Sequence, residues 1–180
     1  MTHLHTRSWF SFLAGGSSPE ELARAAAYHG HSALALTDYG GVYGAVRFQR
    51  ACRDHDIKPL FGAEVNVDGD TLVLIAASNR GYQNLCRLIT FSHMRQRLDH
   101  VATVEELAEH ATDLFCLTGT RTSRLWRLID EHKLSDAQAW VLQLQQIFGS
   151  RLSIEVAHQL HPRDSARVQT LHRMSELTYI

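Results

Sequence analysis

Short apolar runs alternate with amphipathic segments along most of the chain. The runs at 32–37, 58–67 and 71–77 predict strands, and the nearly continuous apolar character of the first predicts burial on both faces. The amphipathic segments between the runs predict helices, because their apolar residues recur three and four positions apart. Asp68-Gly69 separates the second and third runs and predicts a hairpin-type turn.

Capping residues predict where several helices begin. Ser17 to Glu21 has a serine cap, a proline in the first turn and two acids, and Thr103 to Glu106 forms a capping box. Ser135 is predicted to cap a helix that ends near Gly149. Other helices are predicted at 42–56, 81–98 and 164–177, and other strands at 3–10, 113–117 and 152–156. These repeated strand–helix units favour an α/β fold with a parallel sheet, either open and doubly wound or closed as a barrel.

Composition narrows the class of protein. A length of 180 residues with 44% apolar and 21% charged residues is typical of one globular domain, taken as residues 1–180. The net charge of −1 excludes the strongly basic character of an autonomous nucleic-acid binder. No apolar run reaches the ~20 residues that span a bilayer, so we expect no membrane association. Three widely spaced cysteines indicate buried thiols in a reducing cytoplasm.

Polar residues cluster at the predicted carboxyl ends of four strands, where parallel α/β folds place their functional groups. They are His3 and His5, Asp38, Glu64, and the segment from Glu155 to His161. Two histidines at i and i+2 on a strand face the same way, so they offer two imidazoles to one ion beside a carboxylate. Such an ion would generate hydroxide for phosphoester hydrolysis. The histidines after the last strand are His158 and His161; those predicted to be solvated are His29, His31, His93, His100, His110 and His132.

Several motifs occur in a consistent order along the chain: HLHT, six residues, LAGGSSPEELARAA, then ALALTDYGGVYGAVRFQRAC and IKPLFGAEV. Together they resemble the PHP (polymerase and histidinol phosphatase) domain, and more narrowly the N-terminal PHP domain of bacterial DNA polymerase III alpha subunits. SFLAGGSSPEEL and NRGYQNLCRLIT resemble the error-prone branch. The resemblance implies a (β/α)7 barrel with a metal cluster at its strand ends. Relative to that family the chain lacks the last strand, and the polymerase domains lie outside it.

The resemblance also implies a set of site residues. His3 and His5 match the first motif, and Glu64 matches the glutamate of a G-x-E motif. Ala14 and Tyr39 stand where complete sites have ligands, and the final N-D-x-H motif has no counterpart. We therefore expect a degraded site that holds at most one divalent ion (Zn, Mn or Mg) on the three matching residues.

Asp38 and Tyr39 are expected to be structural residues or to contact the site residues without binding the metal ion themselves. Asp38 is predicted to accept hydrogen bonds where a strand meets a loop, and Tyr39 to begin a glycine turn.

The resemblance implies a parent protein that is a DNA-directed DNA polymerase, a nucleotidyltransferase of DNA replication and repair in the cytoplasm. Such an enzyme extends DNA with deoxynucleoside triphosphates and Mg. The chain itself is then expected to be a scaffold that docks against the polymerase domains. The alternatives are a metal-dependent phosphoesterase or 3′–5′ exonuclease, and a stand-alone interaction protein.

Overall fold

A computed structural model describes residues 2–95, 100–157 and 160–178. They form a six-stranded sheet flanked by seven α-helices. The strands are β1 (Ala33–Tyr39), β2 (Lys58–Val67), β3 (Asp70–Ala76), β4 (Val101–Ala102), β5 (Leu114–Leu117) and β6 (Leu152–Ser153). The helices are α1 (Pro19–Tyr28), α2 (Ala45–Asp54), α3 (Asn79–Arg95), α4 (Val104–His110), α5 (Arg124–Asp130), α6 (Leu134–Phe148) and α7 (Asp164–Thr178).

The sheet is mixed, with the order β1-β2-β3-β5-β6 and with β4 paired to the end of β2. The predicted parallel sheet is interrupted at β3, which runs antiparallel to both β2 and β5. The cause is the predicted turn between β2 and β3. Asp68 and Gly69 both have positive φ, at 48° and 81°, and a two-residue turn of this kind joins strands only as an antiparallel hairpin.

Both outer segments of the sheet are less regular than predicted. Residues 3–6 follow β1 in parallel, with one bridge from His3 to Leu34, but the predicted strand at 3–10 does not form. The N–H of Thr6 donates to the Thr37 hydroxyl at 2.9 Å rather than to a backbone carbonyl. On the opposite edge, the N–H of Glu155 donates to the Thr118 hydroxyl at 3.0 Å, and β6 ends after two residues. At each edge one N–H thus pairs with a threonine hydroxyl instead of a carbonyl, while backbone hydrogen bonds from Thr37 to Thr6 and from Thr118 to Ser153 remain.

Helix starts follow the capping chemistry at two of the three predicted sites. The capping boxes of Ser18 with Glu21 and of Thr103 with Glu106 are both present. Ser135 is not a cap, because α6 already begins at Leu134. Helix α5 has no predicted counterpart, since seven residues give too few turns to reveal an apolar period.

Helices cover the sheet with two separate apolar clusters. The larger joins α3, α5 and α6 to β2, β3 and β5, with Trp126 and Phe148 among its largest buried side chains. The smaller packs α1 and α2 on β1 and includes Cys52, whose pKa burial raises to about 11. Cys52 and Cys116 are buried free thiols, as predicted, whereas Cys86 is only partly buried. Within the described residues, no helix is both long and apolar enough to cross a membrane.

The loop between residues 8 and 16 leads the chain from the sheet edge into α1. Tight turns at Ser8 and Ser11 fold it, and the Trp9 N–H donates to the Ser17 carbonyl at 2.8 Å. Gly15 lies so close to the chain at Ser8 that a Cβ there would overlap the Ser8 carbonyl. The next residue, Gly16, has open space around its Cα.

This contrast predicts opposite outcomes for two neighbouring substitutions. Gly15→Ala should lower the free energy of unfolding by about 1–3 kcal/mol, because backbone must move to admit the methyl group. Gly16→Ala should change it by less than about 0.5 kcal/mol. Urea denaturation of the two variants measures both values. Equal free energies of unfolding for the two variants would show that the loop does not pack against Ser8 as described.

Candidate functional site

The His5 imidazole lies between two carboxylates, at the end of the sheet where the parallel strands β1, β2 and β6 have their carboxyl ends. Its Nε2 is 2.8 Å from Glu64 Oε1, and its Nδ1 is 2.6 Å from Glu155 Oε1. His5 belongs to the segment beside β1, Glu64 lies on β2, and Glu155 follows β6. Because β1 and β6 are at opposite ends of the strand order, this imidazole joins the two edges of the sheet.

Arg7 adds a second cation to the same carboxylate. Its Nε donates to Glu64 Oε1, and one terminal nitrogen donates to Oε2 at 2.7 Å. Glu64 is fully buried, and its two oxygens accept three hydrogen bonds from these two cations. Burial alone would raise the pKa of Glu64, but the hydrogen bonds from His5 and Arg7 outweigh it, and the net shift is downward.

His5 carries a positive charge in this environment. Burial lowers the pKa of His5, but the hydrogen bonds to Glu155 and Glu64 and the charges of both carboxylates outweigh this effect. The pKa is therefore raised, to about 9. At neutral pH both ring nitrogens are therefore N–H donors. The cluster of His5, Arg7, Glu64 and Glu155, called here the ionic cluster, has two positive and two negative charges.

Asp38 joins the loop at 8–16 to the end of β1. One carboxylate oxygen accepts from the Ser8 N–H and the Ser11 hydroxyl, and the other accepts from the Ser8 hydroxyl, all at 2.7 Å. The Asp38 side chain is buried together with both serines. This geometry matches that of a structural acceptor at a strand–loop junction.

Tyr39 and two histidines form a separate aromatic group. The Tyr39 ring is 5.7 Å from that of His100, which stacks on His93 at 3.9 Å. His93 Nε2 lies 2.8 Å from the Gly40 carbonyl, to which its N–H donates. The expectation that these two histidines are solvated is wrong, because both are half-buried in this group, and His31 and His110 are half-buried elsewhere.

The structure does not bring all three predicted ligands together. His3 is exposed and packs edge-on against His31, with ring centroids 5.0 Å apart, away from the His5–Glu64 contact. Within residues 2–95, 100–157 and 160–178, no group of three or more His, Cys, Asp or Glu side chains is arranged to hold a metal ion. His158, one of the two histidines noted after the last strand, lies outside the described residues.

The sequence reasoning missed Arg7 as a member of the site. The signal was present, because Arg7 continues the i, i+2 spacing of His3 and His5 along an extended segment. Its guanidinium changes what the site can do. A metal ion on Glu64 would compete with a group that keeps its charge at every accessible pH, so the residues present do not fit a metal ion.

Comparison with known proteins identifies the fold and its relatives. The model of the PHP domain family matches residues 3–159. The chain belongs to the PHP domain family. It is 35% identical to an error-prone DNA polymerase of Symbiobacterium thermophilum and 36% identical to one of Mycobacterium tuberculosis, over 97% and 91% of its own length. A DNA polymerase III subunit alpha of Treponema pallidum is 31% identical over 82% of the chain. The chain spans only 14–18% of these three relatives.

Two solved structures share the fold of this PHP domain. A putative metal-dependent phosphoesterase from Bifidobacterium adolescentis superimposes with a TM-score of 0.64 at 11% identity, covering 100% of this chain and 85% of that one. An amidohydrolase from Chromobacterium violaceum gives 0.62 at 18% identity, covering 99% and 84%. At these identities the likeness concerns the fold alone. The predicted α/β class is thereby confirmed, and the family-model match and the polymerase relatives confirm the predicted family.

The ionic cluster predicts a specific pH dependence. The His5 pKa is raised above 6.5, so its contribution to stability is fully present below pH 6.5 and is lost as the pH rises to about 9. Nuclear magnetic resonance titration of the His5 ring should give a midpoint near 9. Glu155→Gln should move that midpoint down, because it removes one of the two carboxylates. A midpoint at or below 6.5 in the parent chain would contradict the ion pairing.

Proposed function

We propose that this chain is the PHP module of an error-prone DNA polymerase and that it serves there as a structural scaffold without a metal ion. The relatives that align over most of the chain support the first part. The second part is carried by one observation: both oxygens of the buried Glu64 are bound by His5 and Arg7.

Charge balance supports a structural role for the cluster. Buried carboxylates need opposite charges and hydrogen bonds, and a catalytic site leaves part of that capacity for substrate or metal. Glu64 already accepts three hydrogen bonds from two cations of the chain itself. Its partners instead link three parts of the sheet, the segment beside β1, β2 and the segment after β6.

The loop at 8–16 offers a surface for the docking that a scaffold requires. Phe12 and Leu13 are 87% and 93% exposed, and Trp9 is 45% exposed. Buried hydrogen bonds from Ser8 and Ser11 to Asp38 hold the loop in one conformation, so little ordering remains to oppose association. In the full polypeptide these apolar side chains would pack on the polymerase domains. Those domains would bind the DNA, the deoxynucleoside triphosphates and Mg in the cytoplasm.

The length of the native polypeptide tests the polymerase assignment. An antibody raised against this domain should detect, in the source cells, a polypeptide several times longer than 180 residues. The intact mass of that polypeptide should be large enough to account for polymerase domains in addition to this one. A native product of the length of this chain alone would overturn the assignment and would favour a stand-alone protein.

The second candidate function is hydrolysis of phosphodiesters. It is favoured by His5, since the carboxylate of Glu155 on Nδ1 orients Nε2 as in many metal-binding histidines. The 3′–5′ exonuclease expected as an alternative belongs to the same class.

Hydrolysis assays decide between scaffold and hydrolase. The purified chain should not cleave bis(p-nitrophenyl) phosphate or a labelled single-stranded oligonucleotide above background with Mn²⁺, Zn²⁺ or Mg²⁺. Its rate should equal that of His5→Ala. A metal-stimulated rate that His5→Ala abolishes, with His29→Ala unchanged, would establish the hydrolase and refute the scaffold.

A further inference from the structure

We propose that Arg7 is a built-in cation that occupies the position beside Glu64 and excludes divalent metal ions from this PHP domain. The inference extends the metal-free part of the proposed function and does not depend on the polymerase assignment. It assigns a metal-excluding role to a residue that is present in the site, whereas the resemblance implied a site degraded by Ala14 and Tyr39 in place of ligands.

The two cations at Glu64 differ in how they respond to a metal. An imidazolium loses its proton when a metal binds the freed nitrogen, so His5 alone would not prevent binding at neutral pH. A guanidinium has no accessible neutral form and no lone pair to offer. A metal on Glu64 must therefore displace the Arg7 side chain or remain next to its charge.

Arg7 is well placed to resist displacement. Its Nε and one terminal nitrogen bind both oxygens of Glu64 side by side, the paired geometry that makes arginine–carboxylate contacts strong and directional. Glu64 is fully buried whereas Arg7 is only partly so. The contact thus neutralises a carboxylate that water does not reach.

The rest of the site retains features of a metal centre. Glu155 holds His5 by Nδ1 and turns Nε2 towards Glu64, which is how carboxylates orient metal-binding imidazoles. His5 and Glu64 are nonetheless only two protein ligands, and tight zinc sites use at least three. An imidazole at position 7 would provide the third, from a segment that already reaches Glu64.

Zinc binding to Arg7→His tests the proposal. Isothermal titration with Zn²⁺ alone and metal analysis after dialysis should show one more tightly bound equivalent than in the parent chain. That equivalent should disappear in the double variant Arg7→His/Glu64→Gln. Its chelation should lower the melting temperature of Arg7→His and leave that of the parent unchanged.

Two matched variants control for charge and for added histidine. Arg7→Lys keeps a cation at the position and should bind no extra zinc. Arg47→His removes an arginine with the same paired geometry, towards Glu20, at an exposed site away from the cluster, and should also bind none. Because the chain has twelve histidines, this second control measures non-specific uptake.

Either of two results would overturn the proposal. One is equal zinc content in Arg7→His and the parent chain. The other is a stoichiometric site in the parent that Glu64→Gln removes. If Arg7→His does not fold, Mn²⁺ broadening of the His5 resonances replaces the titration; it should occur in Arg7→Gln and not in the parent, and its absence from Arg7→Gln would count against the exclusion. These outcomes concern metal content alone, so they are independent of the length of the native polypeptide.

Discussion

The contact of His5 with Glu64 and Glu155 is the constraint on which the shape of this domain depends. The strand order puts β1 and β6 at opposite ends of one sheet, and no backbone pairing connects those ends within the described residues. Side chains connect them instead, through an imidazole with a carboxylate at 2.8 Å on one side and at 2.6 Å on the other. The curvature of the sheet is thus linked to an electrostatic contact rather than to a continuous ladder.

An apolar cavity lies between the same two edges. Its volume is about 780 Å³, and its lining includes Leu4 from one edge and Ser153 from the other, with Phe61, Phe115 and Leu117 between them. Here the ionic cluster holds the edges together while the space between them stays open. Phe115 is accordingly 45% exposed, although it lies on a central strand.

The parts of the fold that the sequence predicted are those with local causes. Strand β2 was predicted with its exact bounds, and both capping boxes formed, because alternation and capping act over a few residues. The sheet as a whole was expected to be parallel, but the hairpin turn predicted before β3 makes that strand antiparallel to both of its neighbours. The strands expected at the two edges were too long, because the hydroxyls of Thr37 and Thr118 replace backbone acceptors. Such replacement depends on which segments meet in space, and no local pattern encodes it.

Only those residues of the candidate site that lie at predicted strand ends or in family motifs could be predicted from the sequence. His5, Glu64 and the segment beginning at Glu155 were selected for their positions, and the structure brings these three together. His3 was selected together with His5 by their i, i+2 spacing, but the His3 ring packs on His31 instead. Arg7 was overlooked because an arginine is not a metal ligand, so a search for ligands passes over it. What the sequence did not show is that a cation of the chain itself stands at the carboxylate.

A cation supplied by the chain changes what the stability of the domain responds to. A site closed by a metal is stabilised in proportion to the logarithm of the metal concentration, and a chelator removes that contribution. The link through Arg7 has no such dependence, because the guanidinium cannot dissociate from the chain or lose its proton. Only His5 remains a variable partner, and its pKa of about 9 keeps it charged at neutral pH. A module built this way would keep its shape whatever the supply of metal, which is a property that a scaffold needs.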